Sequence, residues 1–270
     1  MVETTVQRRR QTSERFYRSR PKLLSIVLPL FNEEDNLPVL MERLLEIRER
    51  LRPTQIEVIL IDDGSTDETF ARGSELCRQY DFVKMLRFEA NAGSHAAISA
   101  GLAEASGECA VFLAGDLQDP PHLIPEMLRR WVEGDSIVWA ARTRVEGKKA
   151  VDIGFSQCYW MLVSLLTGAK LPDSGLDFAL LDKDALDALR PIAQSRCPLF
   201  LKILFLKGLR TSVVRYVKQA RHSGKSGWTL RKKLNLVAQT LVYAFHPMRS
   251  GRTQTKDLRI HYRIKSRVNC

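Results

Sequence analysis

The 270-residue sequence has few cysteines, and none of them lies in a C-x-x-C pair. The five are widely scattered: Cys77, Cys109, Cys158, Cys197 and Cys270. This spacing indicates neither a zinc site nor a disulfide framework. No signal-peptide pattern occurs at the N-terminus, so a reducing cytoplasm is the expected compartment.

Two nucleotide-binding fingerprints are also missing. The sequence has no G-x-G-x-x-G, which weighs against a dinucleotide fold, and no G-x-x-x-x-G-K, which weighs against a P-loop NTPase. Long apolar runs are missing as well. The apolar stretch at residues 155–166 is too short to span a bilayer, so we expect a core helix there, with an apolar wall for an acceptor as the alternative.

The net charge of +11 is concentrated at the two ends of the chain. Residues 1–22 carry +5 and residues 210–270 carry +14, whereas residues 23–209 carry −8. We therefore predict a flexible basic arm (residues 1–22), a central domain (23–227) and a basic C-terminal extension (228–270). An anionic membrane surface is favoured over nucleic acid as the partner of such ends, and solubility alone is the alternative.

Short apolar runs alternate with helical patterns through the central part of the chain. Strands are expected at residues 23–30, 56–61, 82–88, 108–114 and 136–141, separated by helices at 35–51, 68–80, 96–105 and 122–131. Strands of this length alternating with helices indicate βαβ units. The predicted fold class is therefore α/β, with a mostly parallel central sheet and helices on both faces.

The strand pattern at residues 56–61 runs directly into Asp62, Asp63, Gly64 and Ser65. Such residues lie at the carboxyl end of a strand, where open α/β sheets bind ligands. A ribose hydroxyl or a base N–H suits a carboxylate there, and a phosphate does not. Ser65 or Thr66 is expected to cap the next helix. An ordinary solvated turn is the alternative interpretation.

Four strand-end loops carry polar residues suited to a sugar nucleotide: residues 29–33, 62–65, 91–93 and 116–119. Their sequences are SIVLPLFNEEDNLP, DDGSTDET, NAGSHAAISAGL and DLQDPP. Together they resemble the family 2 glycosyltransferases, which have the GT-A fold. DLQDPP and the later ARHSGKSGW are similar to the branch of dolichyl-phosphate mannose synthases and bacterial polyprenyl-phosphate glycosyltransferases. The resemblance covers roughly residues 22–230.

The resemblance implies a set of donor contacts. The residues that would line the base and ribose are Pro29, Phe31, Asn32 and Glu33. Asp62 would face uracil or guanine, with Asp63 and Ser65 close by, and Asn91 and Gly93 would lie near the nucleotide. The implied donor is a UDP-sugar or a GDP-sugar.

The DLQDPP motif implies a cation site and sugar contacts. Asp116 matches the second carboxylate of the family's Asp-x-Asp, which holds Mg²⁺ or Mn²⁺ against the diphosphate. Gln118 and Asp119 would approach the sugar. The first Asp of the family motif falls on Ala114 here, so one contact to nucleotide or metal is missing.

The second half of the chain supplies the implied acceptor side. Arg142 matches the basic residue that contacts the phosphate of a lipid acceptor. Asp177 lies in DSGLDF, which resembles the family's D-x-G-D-F-R-L, although the family's Arg falls on Ala179. Arg221 and Lys225 match a mobile loop that closes over the diphosphate, and their side chains suit phosphate oxygens.

A helical pattern with one apolar face begins at Trp228. The apolar positions are Leu230, Leu234, Val237, Leu241 and Phe245. A basic amphipathic helix of this kind lies in a membrane interface, packs on its own domain or pairs with a second copy of the chain. Peripheral attachment at the inner face of the membrane also explains the +14 end, and a homo-oligomer is a further candidate assembly.

The resemblance implies inverting transfer of a sugar to a polyprenyl phosphate, with the leaving diphosphate neutralised by metal, Arg221 and Lys225. An anionic phosphate acceptor needs no strong base. A sugar-hydroxyl acceptor would need one, and Asp119 or Asp177 would supply it. Two alternatives stay open: a family 2 enzyme acting on a saccharide or protein, and a catalytically weak sugar-nucleotide-binding protein.

Overall fold

The computed structural model describes residues 17–143, 163, 178–195, 197–206, 208–217 and 262–269. Its strands are β1 (Leu23–Leu30), β2 (Gln55–Asp62), β3 (Val83–Phe88), β4 (Cys109–Phe112), β5 (Ile137–Thr143), β6 (Ala179–Asp182), β7 (Thr211–Val217) and β8 (Ile264–Val268). Its helices are α1 (Leu37–Leu51), α2 (Thr69–Gln79), α3 (Ser94–Glu104), α4 (Ile124–Val132), α5 (Lys183–Leu189) and α6 (Leu199–Leu204). Short 3₁₀ turns occupy Pro121–Leu123 and Arg190–Ile192.

The strands form one sheet in the order β7-β5-β6-β4-β1-β2-β3-β8. Strands β4, β1, β2 and β3 are parallel to one another. Strand β6 is antiparallel to β4 and β5, and β8 is antiparallel to β3. The predicted α/β class with a mostly parallel sheet is confirmed. In register, Leu30 lies beside Asp62, and Asp62 lies beside Arg87. The carboxyl ends of β1, β2 and β3 therefore meet at one edge.

Continuous apolar sequence gives β1 and β2 two buried faces, as expected for strands in the middle of a parallel sheet. Ile26 and Leu28 pack towards α1 and α4, and Val27 between them packs towards α3. Helix α3 lies close against β1 because Gly101 has no side chain. A Cβ there would lie 2.3 Å from Val27 Cγ1.

Arg18, which lies in the segment predicted as a basic arm, is anchored on the domain. Its guanidinium lies 5.1 Å from the centre of the Trp131 ring and donates hydrogen bonds to Asp135 O at 2.7 Å and Asp182 Oδ2 at 3.0 Å. Further along, Gln55 donates a backbone hydrogen bond to Lys22 O. Arg18 and Lys22, near the end of the predicted arm, are therefore held on the domain by specific contacts.

The end of the predicted C-terminal extension is a strand of the central sheet. Strand β8 pairs antiparallel with β3, and the Tyr262 ring stacks on Phe88 at 4.6 Å between centroids. Half-buried and exposed residues alternate strictly from Tyr262 to Asn269. That two-residue period is the strand pattern. Strand β8, within the predicted C-terminal extension, is therefore part of the central sheet.

Within the described part of the chain, no helix is both long enough and apolar enough to cross a membrane. The stretch predicted as a core helix at residues 155–166 lies outside the described residues except for Val163, which is buried and helical. The amphipathic helix predicted after Trp228 also lies outside them.

Candidate active site

The loops after β2 and β3 are joined through the Asp63 side chain. Asp63 Oδ1 accepts a hydrogen bond from the Ala92 N–H at 2.7 Å, and Oδ2 accepts one from the Gly93 N–H at 2.9 Å. The Asp63 N–H in turn donates to Leu30 O at 2.9 Å. Asp63 is only 3% exposed. Its hydrogen bonds connect the carboxyl ends of β1, β2 and β3 inside the protein.

Asp62 is fully buried beside Asp63. Its Oδ1 accepts a hydrogen bond from the Ser65 N–H at 2.9 Å, and its Oδ2 lies 3.1 Å from Arg87 Nε. The Arg87 guanidinium also donates to Ser65 O and lies 4.5 Å from the Phe70 ring centre. Both carboxyl groups thus have partners within the protein, as buried polar groups require. The solvated-turn alternative does not describe these two residues.

Ser65 holds the neighbouring loop and does not cap α2 as predicted. Its Oγ accepts a hydrogen bond from the Asn32 N–H at 3.0 Å, and Asn32 Oδ1 accepts one from the Thr66 N–H at 2.9 Å. Helix α2 begins at Thr69, whose N–H donates to Asp67 Oδ1. Asn32 adopts φ 56°, a left-handed conformation that Asn tolerates better than most residues.

The remaining predicted donor residues lie at this edge with different exposures. Phe31 is 44% exposed, and Asn91 is exposed at the start of the third loop. Pro29 is half-buried in β1 opposite Ile61. Glu33 accepts a hydrogen bond from Asn36 Nδ2 at 2.5 Å, next to the start of α1. An exposed aromatic ring and exposed amides therefore border the buried carboxyl groups of Asp62 and Asp63, which form the acidic floor of this edge.

The fourth loop follows β4, which lies next to β1. Asp116 is 7% exposed, and its Oδ1 accepts the Gln118 N–H at 3.1 Å. Leu117 between them is buried at φ 62°, an unusual conformation for a residue with a side chain. Gly115 packs so closely on β1 that a Cβ would lie 2.5 Å from Leu30 Cδ2. All four predicted loops therefore share one edge of the sheet.

Asp119 is tied to the other end of the sheet by a residue that sequence reasoning missed. The Tyr216 O–H donates a hydrogen bond to Asp119 Oδ1 at 2.5 Å. Burial and the Asp119 carboxylate raise the pKa of Tyr216, and the Arg142 guanidinium opposes them. Asp119 is 1% exposed. This burial disfavours the predicted use of Asp119 as a general base for a hydroxyl acceptor.

The carboxylates at this edge suit a hard cation only together with a substrate. Among the residues that the structure describes, no three His, Cys, Asp or Glu side chains cluster closely enough to hold a metal ion. Mg²⁺ is commonly held by one or two carboxylates plus substrate phosphates. Asp116, at the edge that the four loops share, fits that arrangement with the oxygens of a diphosphate.

Three predicted residues, Asp177, Arg221 and Lys225, lie outside the described residues. Ala179, where the family has Arg, is fully buried in β6 between β4 and β5. Arg142 lies near the end of β5, in register with Tyr216 of β7. The predicted donor residues and Arg142 thus lie within the described residues, and the predicted closing loop lies outside them.

A parallel sheet with acidic and polar loops at one carboxyl edge is the usual place of a ligand site in an open α/β sheet. The model of glycosyl transferase family 2 matches residues 25–190. The chain therefore belongs to glycosyl transferase family 2. The family predicted from the four motifs is confirmed, and with it, at the level of family, the glycosyltransferase class.

Two curated relatives illustrate the similarity. An uncharacterized glycosyltransferase of Synechocystis is 34% identical over 78% of this chain. The bactoprenol glucosyl transferase of Shigella phage SfV is 32% identical over 77% of this chain. The chain spans about two thirds of the length of these relatives, 66% and 68% respectively.

A solved structure agrees on the fold. Glucosyl-3-phosphoglycerate synthase from Mycobacterium tuberculosis, in complex with Mn²⁺, uridine diphosphate and phosphoglyceric acid, superposes with a TM-score of 0.57. The match covers 83% of this chain and 78% of the synthase, at 18% identity. The GT-A fold predicted from the motifs is therefore confirmed.

Proposed function

We propose that this chain transfers a sugar from a nucleoside-diphosphate sugar to a polyprenyl phosphate. The observation that carries the proposal is the convergence of the four strand-end loops at one edge, with Asp62 and Asp63 buried after β2 and Asp116 buried in the loop after β4. The 32% identity to a bactoprenol glucosyl transferase supports the lipid acceptor.

The donor would lie across the ends of β1 to β4. Phe31 and Asn32 are exposed there to contact the base and ribose, and the buried acidic floor fixes the loops around them. Asp116 would hold Mg²⁺ or Mn²⁺ against the diphosphate, and the bound cation would neutralise charge on the leaving group. Arg221 and Lys225 are proposed to add to that neutralisation from the predicted closing loop.

The acceptor oxygen would attack the anomeric carbon on the face opposite the leaving nucleoside diphosphate, which inverts the configuration. A phosphate oxygen is already anionic at neutral pH, so the attack requires no strong base. The burial of Asp119 agrees with such an acceptor, because a buried carboxylate already bonded to Tyr216 is poorly placed to take a proton. Arg142 is proposed to orient the acceptor phosphate, with Asp177 as a further positioning candidate.

We propose that the protein acts at a membrane surface. Residues 210–270 carry +14, and each Lys or Arg near an anionic leaflet contributes roughly 1 kcal/mol. Such attraction gives reversible, salt-sensitive association without a spanning helix. Co-sedimentation with anionic liposomes at low salt, weakening as salt rises, is the expected behaviour. Equal co-sedimentation with zwitterionic liposomes would contradict this part of the proposal.

A partition assay tests the transfer itself. The protein is incubated with radiolabelled UDP-glucose or GDP-mannose and Mn²⁺, together with a short polyprenyl phosphate, a saccharide or a protein acceptor. Label that moves into the organic phase only with the polyprenyl phosphate supports the proposal. Label on the saccharide or protein would favour the alternative acceptors, and donor binding without any transfer would favour a binding protein.

Asp116→Asn is the informative variant in that assay, because it keeps the side-chain shape and removes the charge. Asp81→Asn is the matched control, since Asp81 is an exposed residue between α2 and β3. Loss of transfer in the first variant and its retention in the second would attribute the reaction to this site.

A further inference from the structure

Tyr216 reaches across the sheet to the loop that carries Asp116. It lies on β7, whereas Asp119 follows β4, and strands β5 and β6 lie between those two in the sheet. The phenol oxygen nevertheless lies 2.5 Å from Asp119 Oδ1. Tyr216 is 6% exposed and Asp119 is 1% exposed, so the hydrogen bond forms away from bulk water. A hydrogen bond to an ionised acceptor in such surroundings is among the stronger ones.

The tyrosine ring is itself held in place. Phe178 meets it edge-on, with 6.1 Å between ring centroids. Arg142 lies in register with Tyr216 on the neighbouring strand β5. Its positive charge lowers the pKa of the phenol, whereas the Asp119 carboxylate raises it. The hydroxyl therefore lies between the carboxylate of the Asp116 loop and the residue proposed for the acceptor phosphate.

The Asp116 loop has a conformation that requires support. Leu117 is buried at φ 62°, and residues with side chains adopt such angles only when their surroundings impose them. Pro120 and Pro121 restrict the residues that precede them, Asp119 and Pro120, to extended conformations. The local bond from the Gln118 N–H to Asp116 Oδ1 ties the loop to itself, whereas the Tyr216 bond ties it to a distant strand.

We propose that Tyr216 is a positioning residue, which holds Asp119 and thereby keeps Asp116 where a cation–diphosphate complex binds. The proposal rests on the proposed function, because it concerns the same donor site. Tyr216 contacts neither nucleotide nor cation and acts only through the loop. Its loss should therefore weaken the cation-dependent part of donor binding and leave contacts to the base and ribose unchanged.

Tyr216→Phe tests this with calorimetric titrations of uridine and guanosine diphosphate, each with and without Mn²⁺. We expect affinity in Mn²⁺ to fall about ten-fold, the effect of losing one hydrogen bond to a charged group. Affinity without Mn²⁺ should stay at the wild-type value. Tyr80→Phe, in a half-buried tyrosine at the end of α2, is the matched control and should change neither affinity.

A second variant keeps the test decisive. Asp119→Asn should lower Mn²⁺-dependent affinity as well, and adding Tyr216→Phe to it should lower the affinity no further. A parallel fall of both affinities together with thermal stability in Tyr216→Phe would show a merely structural residue and overturn the inference.

Two other outcomes separate this inference from the proposed function. If the wild type binds more tightly with Mn²⁺ and Tyr216→Phe matches it, the positioning role is wrong and the proposed function stands. If the wild type binds neither diphosphate under any condition, the proposed function is wrong and the inference falls with it.

Discussion

The carboxylate of Asp63 accepts a hydrogen bond from the backbone N–H of Gly93 at 2.9 Å. Gly93 immediately precedes α3 and adopts φ 92°, which a residue with a side chain rarely does. One buried side chain thus fixes both the loop after β2 and the start of the helix after β3. The two loops behave as one unit of the proposed donor site.

Asp63→Ala should weaken binding of uridine or guanosine diphosphate, because two backbone N–H donors lose their acceptor and the third loop loosens. The expected loss is roughly 1–3 kcal/mol, typical of unsatisfied buried donors. Isothermal titration calorimetry measures it. Asp81→Ala is the control, since that exposed carboxylate lies between α2 and β3. Equal affinities of wild type and Asp63→Ala for both nucleotides would contradict the prediction.

Metal dependence should operate through Asp116 even though Ala114 replaces the first motif carboxylate. With a single carboxylate, Mn²⁺ should bind tightly only in the presence of nucleotide, because diphosphate oxygens complete its ligands. Titration of Mn²⁺ into protein alone, and then into protein saturated with uridine diphosphate, measures the difference. Asp116→Asn should abolish that difference. Full sugar transfer in excess chelator would show that the reaction needs no cation.

The C-terminal strand should contribute to the donor site through β3. The Glu89 N–H donates to Arg263 O at 3.0 Å, and the Tyr262 ring stacks on Phe88 directly before the third loop. Tyr262→Ala should therefore speed hydrogen exchange at the Glu89 amide and weaken nucleotide binding by about 0.5–1.5 kcal/mol, the typical worth of an aromatic pair. Tyr17→Ala, at a 67% exposed tyrosine, is the control. Unchanged exchange at Glu89 would rule out this coupling.

Acid sensitivity should come from a buried carboxylate at the opposite end of the sheet. Burial alone would raise the pKa of Glu57, but hydrogen bonds from Lys84, Ser106 and Ser25 outweigh it and lower the pKa from 4.5 to about 2. Because the folded-state pKa is the lower one, the stabilisation is complete above about pH 4.5 and is lost as the pH falls towards 2.

Glu57→Gln removes that contribution, which is worth roughly 3 kcal/mol over the whole window. Urea unfolding at a series of pH values should show the wild type more stable at neutral pH and the difference shrinking below about pH 4.5. Glu46→Gln, at an exposed position of α1, should follow the wild type. A constant difference at every pH would contradict the assignment to Glu57.

The sequence was sufficient to predict strands β1 to β5 and the four polar loops at one edge of the sheet, because parallel strands place their carboxyl ends together. Asp63 was therefore expected at the site, although its hydrogen bonds to the third loop were not. Those bonds depend on how two loops fold over each other, which spacing along the chain does not encode.

Long-range partners were the main omission. Tyr216 and Asp119 are 97 residues apart, and their pairing follows from the position of β7 in the sheet. The buried face of β7 is visible in the sequence, since Val214 and Tyr216 are two residues apart, and a buried tyrosine hydroxyl usually has a partner. Strand β8 was overlooked because a strongly basic composition masked its two-residue alternation.

The mass of the lipid product tests the central claim most directly. The full chain is incubated with Mn²⁺, a polyprenyl phosphate and either UDP-glucose or GDP-mannose, and the organic phase is analysed by mass spectrometry. The account predicts a polyprenyl phosphate that has gained one hexose with one of the donors, and no such product with Asp116→Asn. A lipid of unchanged mass, while the same donor glycosylates a saccharide or protein, would contradict it.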